Sequence, residues 1–569
     1  MKTYSKLGML LTLLLVIISL GTVAATPLAV AGKPPTKTPT PGGGATATPT
    51  SGPTATPGAS ATYYVDCSAA TNGNGTQSSP WNSLVSPNAK TFVPGDSLLF
   101  KRGTTCQGEF IAKGSGNASA VITIADYGTG ALPILDGGTT NPATILLSDV
   151  EYYDLKNLAV RGSNRFAVHI TGNTPGRALH HFYIINLDIT GVNYVAQTRS
   201  DSGLLWIFPN VVGETINDVL VDGVHAHDTT AGDGISVGLG NDWPCGVCGS
   251  NATVRNSSAH DVAGDAIVIY ELNNGLMENN VAYNSGQCTT CSGSTPVGLW
   301  TWNTNTTTAQ FNESYSNHTW TTTAGDGGGY DIDGDNVNNT YQYNYAHDND
   351  GYCIAIYDFG AAAITDNAVF RYNVCANNVQ KNSYGEIKIA AWQGGSLNNI
   401  QIYNNTLYYN PAPISIGAGS EVMDANASYT GASYIKNNLI YSLYPRMIFV
   451  GNPVVAFDYN LYWTPPGVGY EFKRLSQVYT SLSAWQSATG YDLHSISAEP
   501  KLNGVGYHGV GMPNLTNGLY TLQTTSPALN AGTNVCATAC VGGSMGTRDY
   551  FGLALDATHN IGAYEGNGQ

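Results

Sequence analysis

Between residues 150 and 450 short runs of alternating apolar and polar residues recur, each meeting a polar turn residue that is nearly always Asn. The segments KNLAV, INLDI, VDGVHAH, RNSSAH, ENNVAYN, FNESYSN, YNYAHDN, YNVCANN, YNNTLYYN and KNNLIYS place it at Asn157, Asn186, Asp222, Asn256, Asn280, Asn312, Asn344, Asn373, Asn405 and Asn438, 24 to 36 residues apart. A period in this range marks a solenoid, whose coils bury their apolar faces only by stacking on one another. A second run follows most markers, at 234–237, 266–269, 299–302, 330–333, 354–357, 387–389 and 414–416. Its alternation at period two predicts strands whose β-branched and apolar side chains point inward. Asn at the repeated turn tolerates left-handed backbone and can stack its amide on that of the next coil.

Composition narrows the class. Only 11% of the 569 residues are charged, against about 25% in an average soluble chain, while Gly reaches 67 and Tyr 35. Few helices can be built from that. The formal charge of −16 repels a phosphate backbone or an anionic membrane, so nucleic acid is excluded as a partner. The same sign disfavours a polyuronate substrate unless Ca²⁺ or a local basic pocket offsets it.

The N-terminus has the pattern of a signal peptide over 1–25, with Lys2 and Lys6 before an apolar core and Val23-Ala24-Ala25 as a cleavage site. An uncleaved anchor is the alternative, although the apolar run is shorter than the roughly 20 residues a span needs. Residues 26–61, rich in Pro and Thr, read as an extended linker that cannot bury a core. A secreted, monomeric protein free of the membrane after cleavage is expected. In an oxidising compartment the ten cysteines read as disulfides. Cys67 with Cys106, Cys353 with Cys375 and Cys536 with Cys540 are candidate pairs. Cys245-x-x-Cys248 and Cys288-x-x-Cys291 have zinc-ribbon spacing, with a disulfide clasp within or between the loops as the preferred reading.

The chain resembles the secreted right-handed parallel β-helix proteins of the pectin-lyase-like superfamily. The likeness rests on the repeated coils, on an opening segment (YYVDCSAATNGNGTQSSPWNSL, then PGDSLLFKRG) and on a closing one (SPALNAGTN, then NIGAYEG). It implies an all-β fold: a right-handed parallel β-helix of about ten coils over 141–465, an N-terminal cap with first coils over 62–140, and C-terminal coils and a cap over 466–569. A short covering element is expected within 80–93, because an open solenoid end invites edge-to-edge association. The superfamily holds lyases, hydrolases, esterases and adhesins, so the resemblance specifies fold better than activity.

With the apolar residues of the second run inward, its other side chains form an outer stripe, stacked at about 4.8 Å per coil. The stripe reads Ser236; Val268 and Tyr270; Trp300 and Trp302; Asp331 and Asp333; Ala355 and Tyr357; Lys388 and Ala390; Ser415. Aromatic faces beside a carboxylate pair suit a saccharide cleft. Asp331 and Asp333 share one strand face with Cα atoms about 6.5–7 Å apart, and close carboxylates split their pKa values, so an acid and a base can coexist. They are the candidate acid/base pair of a glycoside hydrolase on a polysaccharide, with Trp300, Trp302, Tyr270 and Tyr357 binding sugar. His347, beside Asp348, is a further acid/base candidate. No cofactor is required by that chemistry, but calcium is the competing reading. Asp326, Asp331, Asp333 and Asp348 compose a candidate site, and Lys388 would then be the base of a polysaccharide lyase. An EF-hand is excluded, since Asn336 and Gln342 stand where that loop needs Gly and Glu. The Asn-Thr-Asp, Asp-Asp, Gly-His-Gly and Arg-Ile-Lys pattern of polygalacturonase-like hydrolases is absent, Glu386-Ile387-Lys388 being only loosely similar to its last element. Hydrolase, lyase and non-catalytic glycan-binding protein all remain open.

Overall fold

Three strands and three corners make one coil. The coil of residues 328–347 shows the order: Gly328–Asp333 in sheet 1, Thr340–Gln342 in sheet 2, a corner at Asn344, then Tyr345–His347 in sheet 3. The computed structural model describes residues 59–193, 202–242, 244, 246–288, 296–319, 325–360, 364–381, 384–410, 420–425, 429–451, 455–537 and 540–569. Sheets 1 and 2 are joined into one 26-stranded sheet by Ile267–Glu278 and Val297–Gln310, which run through both, and sheet 3 has 14 strands. The stacked strands pair in parallel, and the architecture is a right-handed parallel β-helix. Ten strands of sheet 3, from Ala159–Arg161 to Leu439–Ser442, fall where ten coils were expected, and further coils extend the stack at both ends.

The inward register follows the alternation. Val168, Leu205, Ile235, Ile267, Leu299, Tyr330, Ile354 and Ile387 pair in succession across eight coils and are all fully buried. Each such side chain contributes on the order of 1.5–3 kcal/mol by leaving water, and only the stack makes that burial complete.

The Asn markers divide into two adjacent columns. Asn157, Asn186 and Asn256 have φ of 55°, 54° and 50° and stand outside the core, Asn186 donating to Asn157 at 2.7 Å and Asn256 to Asp222 at 2.8 Å. At Asp222 the left-handed residue is the following Gly223. Asn280, Asn312, Asn344, Asn373, Asn405 and Asn438 lie one position further on, fully buried, and continue to Asn460. In that inner column each Asn accepts from the backbone N–H and the amide of its predecessor, at 3.0 and 3.1 Å for Asn280 to Asn312 and 3.0 Å twice for Asn312 to Asn344. In the earlier coils the same inner position is Leu158, Leu187, Val224 and Ser257. A second inner ladder, Asn317 to Asn349 to Asn378, ends on Glu386.

The expected disulfides Cys67–Cys106, Cys353–Cys375 and Cys536–Cys540 are present. Cys248 and Cys288 are also oxidised, which removes thiolates that a zinc ribbon needs; Cys245 and Cys291 lie outside the described residues, as do the signal peptide and nearly all of the linker. The helix Val85–Ala89 falls in the predicted covering segment. The other end is covered by the helix Leu482–Thr489, capped by Ser481 and left-handed Gly490, with Trp485 buried against Phe472. Beyond residue 500 the chain runs back along the flank of the coils instead of adding further ones. There Tyr520, Tyr550, Phe551 and Ile561 pack with Tyr345, Tyr372 and Tyr408.

Candidate active site

The outer stripe has the predicted order. Ser236, Val268, Trp300, Asp331, Ala355 and Lys388 pair in succession, and Tyr270 with Trp302 and Asp333 with Tyr357 and Ala390 form the neighbouring file. It also continues upstream through Trp206 and His169. Ser415 lies outside the described residues. The stripe is not the open groove that alternation suggested, for Asp331, Asp333 and Lys388 are only 1%, 8% and 9% exposed. Aromatic side chains account for much of the cover. Phe208, Tyr270 and Trp302 make one row with ring separations of 5.4 and 6.4 Å, and Tyr352, Tyr357 and Tyr384 make another, at 6.0 and 5.8 Å from Tyr352. A cleft of about 250 Å³ opens at the corner beyond Asp333, walled by Asn273, Asn303, Asn305, Asp335 and Leu272.

The carboxylates meet at Tyr352. Its hydroxyl lies 2.9 Å from Asp326 Oδ1 and 3.0 Å from Asp331 Oδ2. It reaches them because residue 328 is Gly, where a Cβ would stand 2.1 Å from the ring. Burial first, and then the facing Asp326 and Asp331, push the Tyr352 phenol far above its ordinary range, so it stays protonated. Asp333 projects from the same face as Asp331, one coil from Trp300 and Trp302.

Two further acids near this face carry no motif in the sequence. Asp358 is pushed up to about 6, by burial above all, while accepting from the backbone of Ser396 at 2.6 Å and of Asp335 at 3.3 Å. Glu271, next to Tyr270, is pushed up to about 7, again chiefly by burial, and accepts from the Asp242 N–H at 2.9 Å. The rung arithmetic would have found Tyr352, which pairs one coil along from the glycine run at 327–329.

Lys388 is in the stripe two rungs from Asp331, with Nζ 3.1 Å from the centre of the Tyr384 ring and 5.8 Å from that of Tyr357. His347 and Asp348 are elsewhere, which corrects the expectation that they join the carboxylates. They end a strand of sheet 3, around the coil from Asp331. Nδ1 of His347 meets Asp348 at 2.9 Å and Nε2 meets Glu313 at 3.2 Å. Asp348 also binds His508, and Glu313 accepts from the Gly511 N–H at 2.6 Å, so this cluster fastens the returning C-terminal segment. Of the four candidate calcium carboxylates, Asp348 is thus around the coil from the others, while Asp326 and Asp331 share the Tyr352 hydroxyl.

No family model matches the chain. A lacto-N-biosidase of Bifidobacterium longum subsp. longum is 26% identical over 201 residues, covering 29% of this chain and 12% of that protein. The solved structure of a GH136 lacto-N-biosidase from Eubacterium ramulus, a selenomethionine derivative, superposes with a TM-score of 0.51 at 20% identity over 65% of this chain and 66% of that one. Its native form gives 0.48 at 19% identity, over 64% and 68%. The chain thus spans about an eighth of the curated relative's length, and the likeness to the solved structures is one of fold.

Proposed function

We propose that this chain is an exported glycoside hydrolase acting on a neutral or weakly charged polysaccharide. The observation that carries the reading is the Asp326–Tyr352–Asp331 cluster beside Asp333 on one face of a single strand. In this reading Asp331, beside Tyr352 and Asp326, gives a proton to the glycosidic oxygen as the C1–O bond breaks, and Asp333 serves the anomeric carbon, directly or through water. Trp300, Trp302, Tyr270 and Tyr357 stack on the sugar rings, and the adjoining cleft takes the rest of the glycan. The likeness to a lacto-N-biosidase, itself a glycosidase, supports the class. The scarcity of basic groups in the stripe favours a neutral glycan over a polyuronate.

The lyase reading needs Lys388 uncharged as a base. Its Nζ lies 3.1 Å from the centre of the Tyr384 ring, and in the hydrolase reading Lys388 borders the sugar site. A panel of polysaccharides assayed for new reducing ends and for the ultraviolet absorbance of unsaturated products tests the proposal. Reducing ends without absorbance are expected. Absorbance would transfer the site to a lyase, and neither signal on any glycan would leave it a binding surface.

A further inference from the structure

Sheet 3 carries on its outer side a cluster that the proposed hydrolysis does not use. His225 and His227 come from one strand, His225–His227, and His260 ends the next, Ser258–His260, in register with His227. One ring nitrogen from each of the three lies within 4.8 Å of the other two. Nε2 of His225 and Nε2 of His260 are 2.7 Å apart.

Three observations separate this from a chance surface grouping. First, carboxylates orient the rings: Asp261 meets Nδ1 of His260 at 2.6 Å, and Asp228 meets Nδ1 of His227 at 2.8 Å. A carboxylate on Nδ1 holds the proton there and turns the Nε2 lone pair outward, the usual support of a metal-binding imidazole. Second, an oxygen donor is at hand from the preceding coil, where Asp188 Oδ1 is 2.9 Å from Nε2 of His227, its other oxygen being held by Arg161 at 2.7 Å. Third, the rings are fixed by stacking, with centroids 4.0 Å apart for His225 on His227, 5.2 Å for His227 on His260 and 4.3 Å for His260 on Tyr283.

We propose that His225, His227 and His260 form a site for a divalent transition metal of the zinc class, with Asp188 beside His227. Three imidazoles match the ligand preference of that ion, water taking the fourth position. The ion takes the place of the hydrogen bond between His225 and His260 and of the proton that His227 Nε2 shares with Asp188, which passes to solvent as the ion binds. The His225 proton moves from Nε2 to Nδ1, and the two Nε2 atoms separate from 2.7 Å to about 3.3 Å, the tetrahedral edge for Zn–N bonds of about 2.0–2.1 Å. The bound ion then ties consecutive coils together on the same face of sheet 3 as the returning chain's clasp, where His260, Tyr283, Tyr315 and His347 stack in one file, and binding to the folded form alone raises its stability.

The test is calorimetric titration of the metal-free full chain with zinc chloride, together with its melting midpoint and the visible spectrum of a cobalt(II)-loaded sample. One ion per chain, a higher midpoint and a tetrahedral cobalt spectrum are expected. His225→Gln and His260→Gln should each weaken Kd at least tenfold, and Asp261→Asn roughly tenfold by loosening the His260 ring. His225→Gln and Asp261→Asn should leave the metal-free midpoint unchanged, whereas His260→Gln, which gives up the stack on Tyr283, is compared with its own metal-free midpoint. Absence of a one-equivalent phase overturns the proposal, and so does a phase that survives in the His225→Gln/His260→Gln double variant.

Discussion

Asn344→Ala isolates what the inner amide ladder contributes. The Asn344 oxygen accepts from the backbone N–H and the side-chain amide of Asn312, both at 3.0 Å, and its own amide donates to the Ala309 carbonyl at 2.9 Å and to Asn373 at 3.1 Å. Truncation leaves the Asn312 N–H and one of its amide hydrogens buried without an acceptor. An orphaned buried donor costs about 1–3 kcal/mol, so the variant should lose about 2–6 kcal/mol. Asn256→Gly is the control. It keeps a residue at ease with φ of 50° and removes only the exposed hydrogen bond to Asp222, worth about 0.5–1.5 kcal/mol. Urea unfolding followed by far-ultraviolet circular dichroism reads both, as midpoint shifts at constant slope. A loss below about 1 kcal/mol for Asn344→Ala, or one no larger than that of Asn256→Gly, would refute the division of the markers into a buried and a surface column.

Tyr352→Phe keeps the ring that packs over Gly328 but removes the hydroxyl between Asp326 and Asp331. A hydrogen bond to a charged group is worth about 1.5–3 kcal/mol, so kcat/KM should fall roughly ten- to a hundredfold with some loss in melting midpoint, and unchanged kinetics would remove the Tyr352 hydroxyl from the chemistry. Trp302→Ala should raise KM several-fold, as expected for about 0.5–1.5 kcal/mol of stacking, with kcat nearly unchanged; a pure kcat effect would place Trp302 in the chemistry instead. Burial, the largest influence on His347, pushes its pKa down, but hydrogen bonds with Asp348 and Glu313 more than offset it and the net shift is upward. A raised folded pKa contributes stability that is present in full below the ordinary value of 6.5 and is lost as pH rises through the folded value. The gap in melting midpoint between the natural chain and His347→Gln should therefore shrink from pH 6 to pH 9, and a gap that widens would contradict the clasp.

The register of the stripe was legible because alternation at period two assigns each residue to a face, and Ile332 between Asp331 and Asp333 leaves no doubt which side is inward. What covers that face was not legible. Alternation does not say that Tyr352 meets the carboxylates, nor that Gly328 makes room for its ring. The Asn repeat was read as one motif because φ and burial are invisible in sequence. Asn256 and Asn280 look alike until one proves to be a left-handed surface turn and the other an internal amide. His347 and Asp348 were grouped with Asp331 on nearness along the chain, but a third of a coil is enough to carry a side chain to another sheet. The return of residues beyond 500 depends on contacts such as Tyr343 Oη to the Arg548 carbonyl at 3.0 Å, across 205 residues, and no local pattern announces it.

The central claim is that carboxylates on the strand Gly328–Asp333 carry out proton transfer and attack at a glycosidic bond. Turnover of the Asp331→Asn and Asp333→Asn variants on the glycan found by the panel tests it most directly. Asn preserves shape but neither donates nor accepts the proton, so kcat should fall by about 10² to 10⁴ in each, with circular dichroism and melting midpoint close to those of the natural chain. Natural turnover in both variants would contradict the assignment and make the pair a structural feature of the stripe.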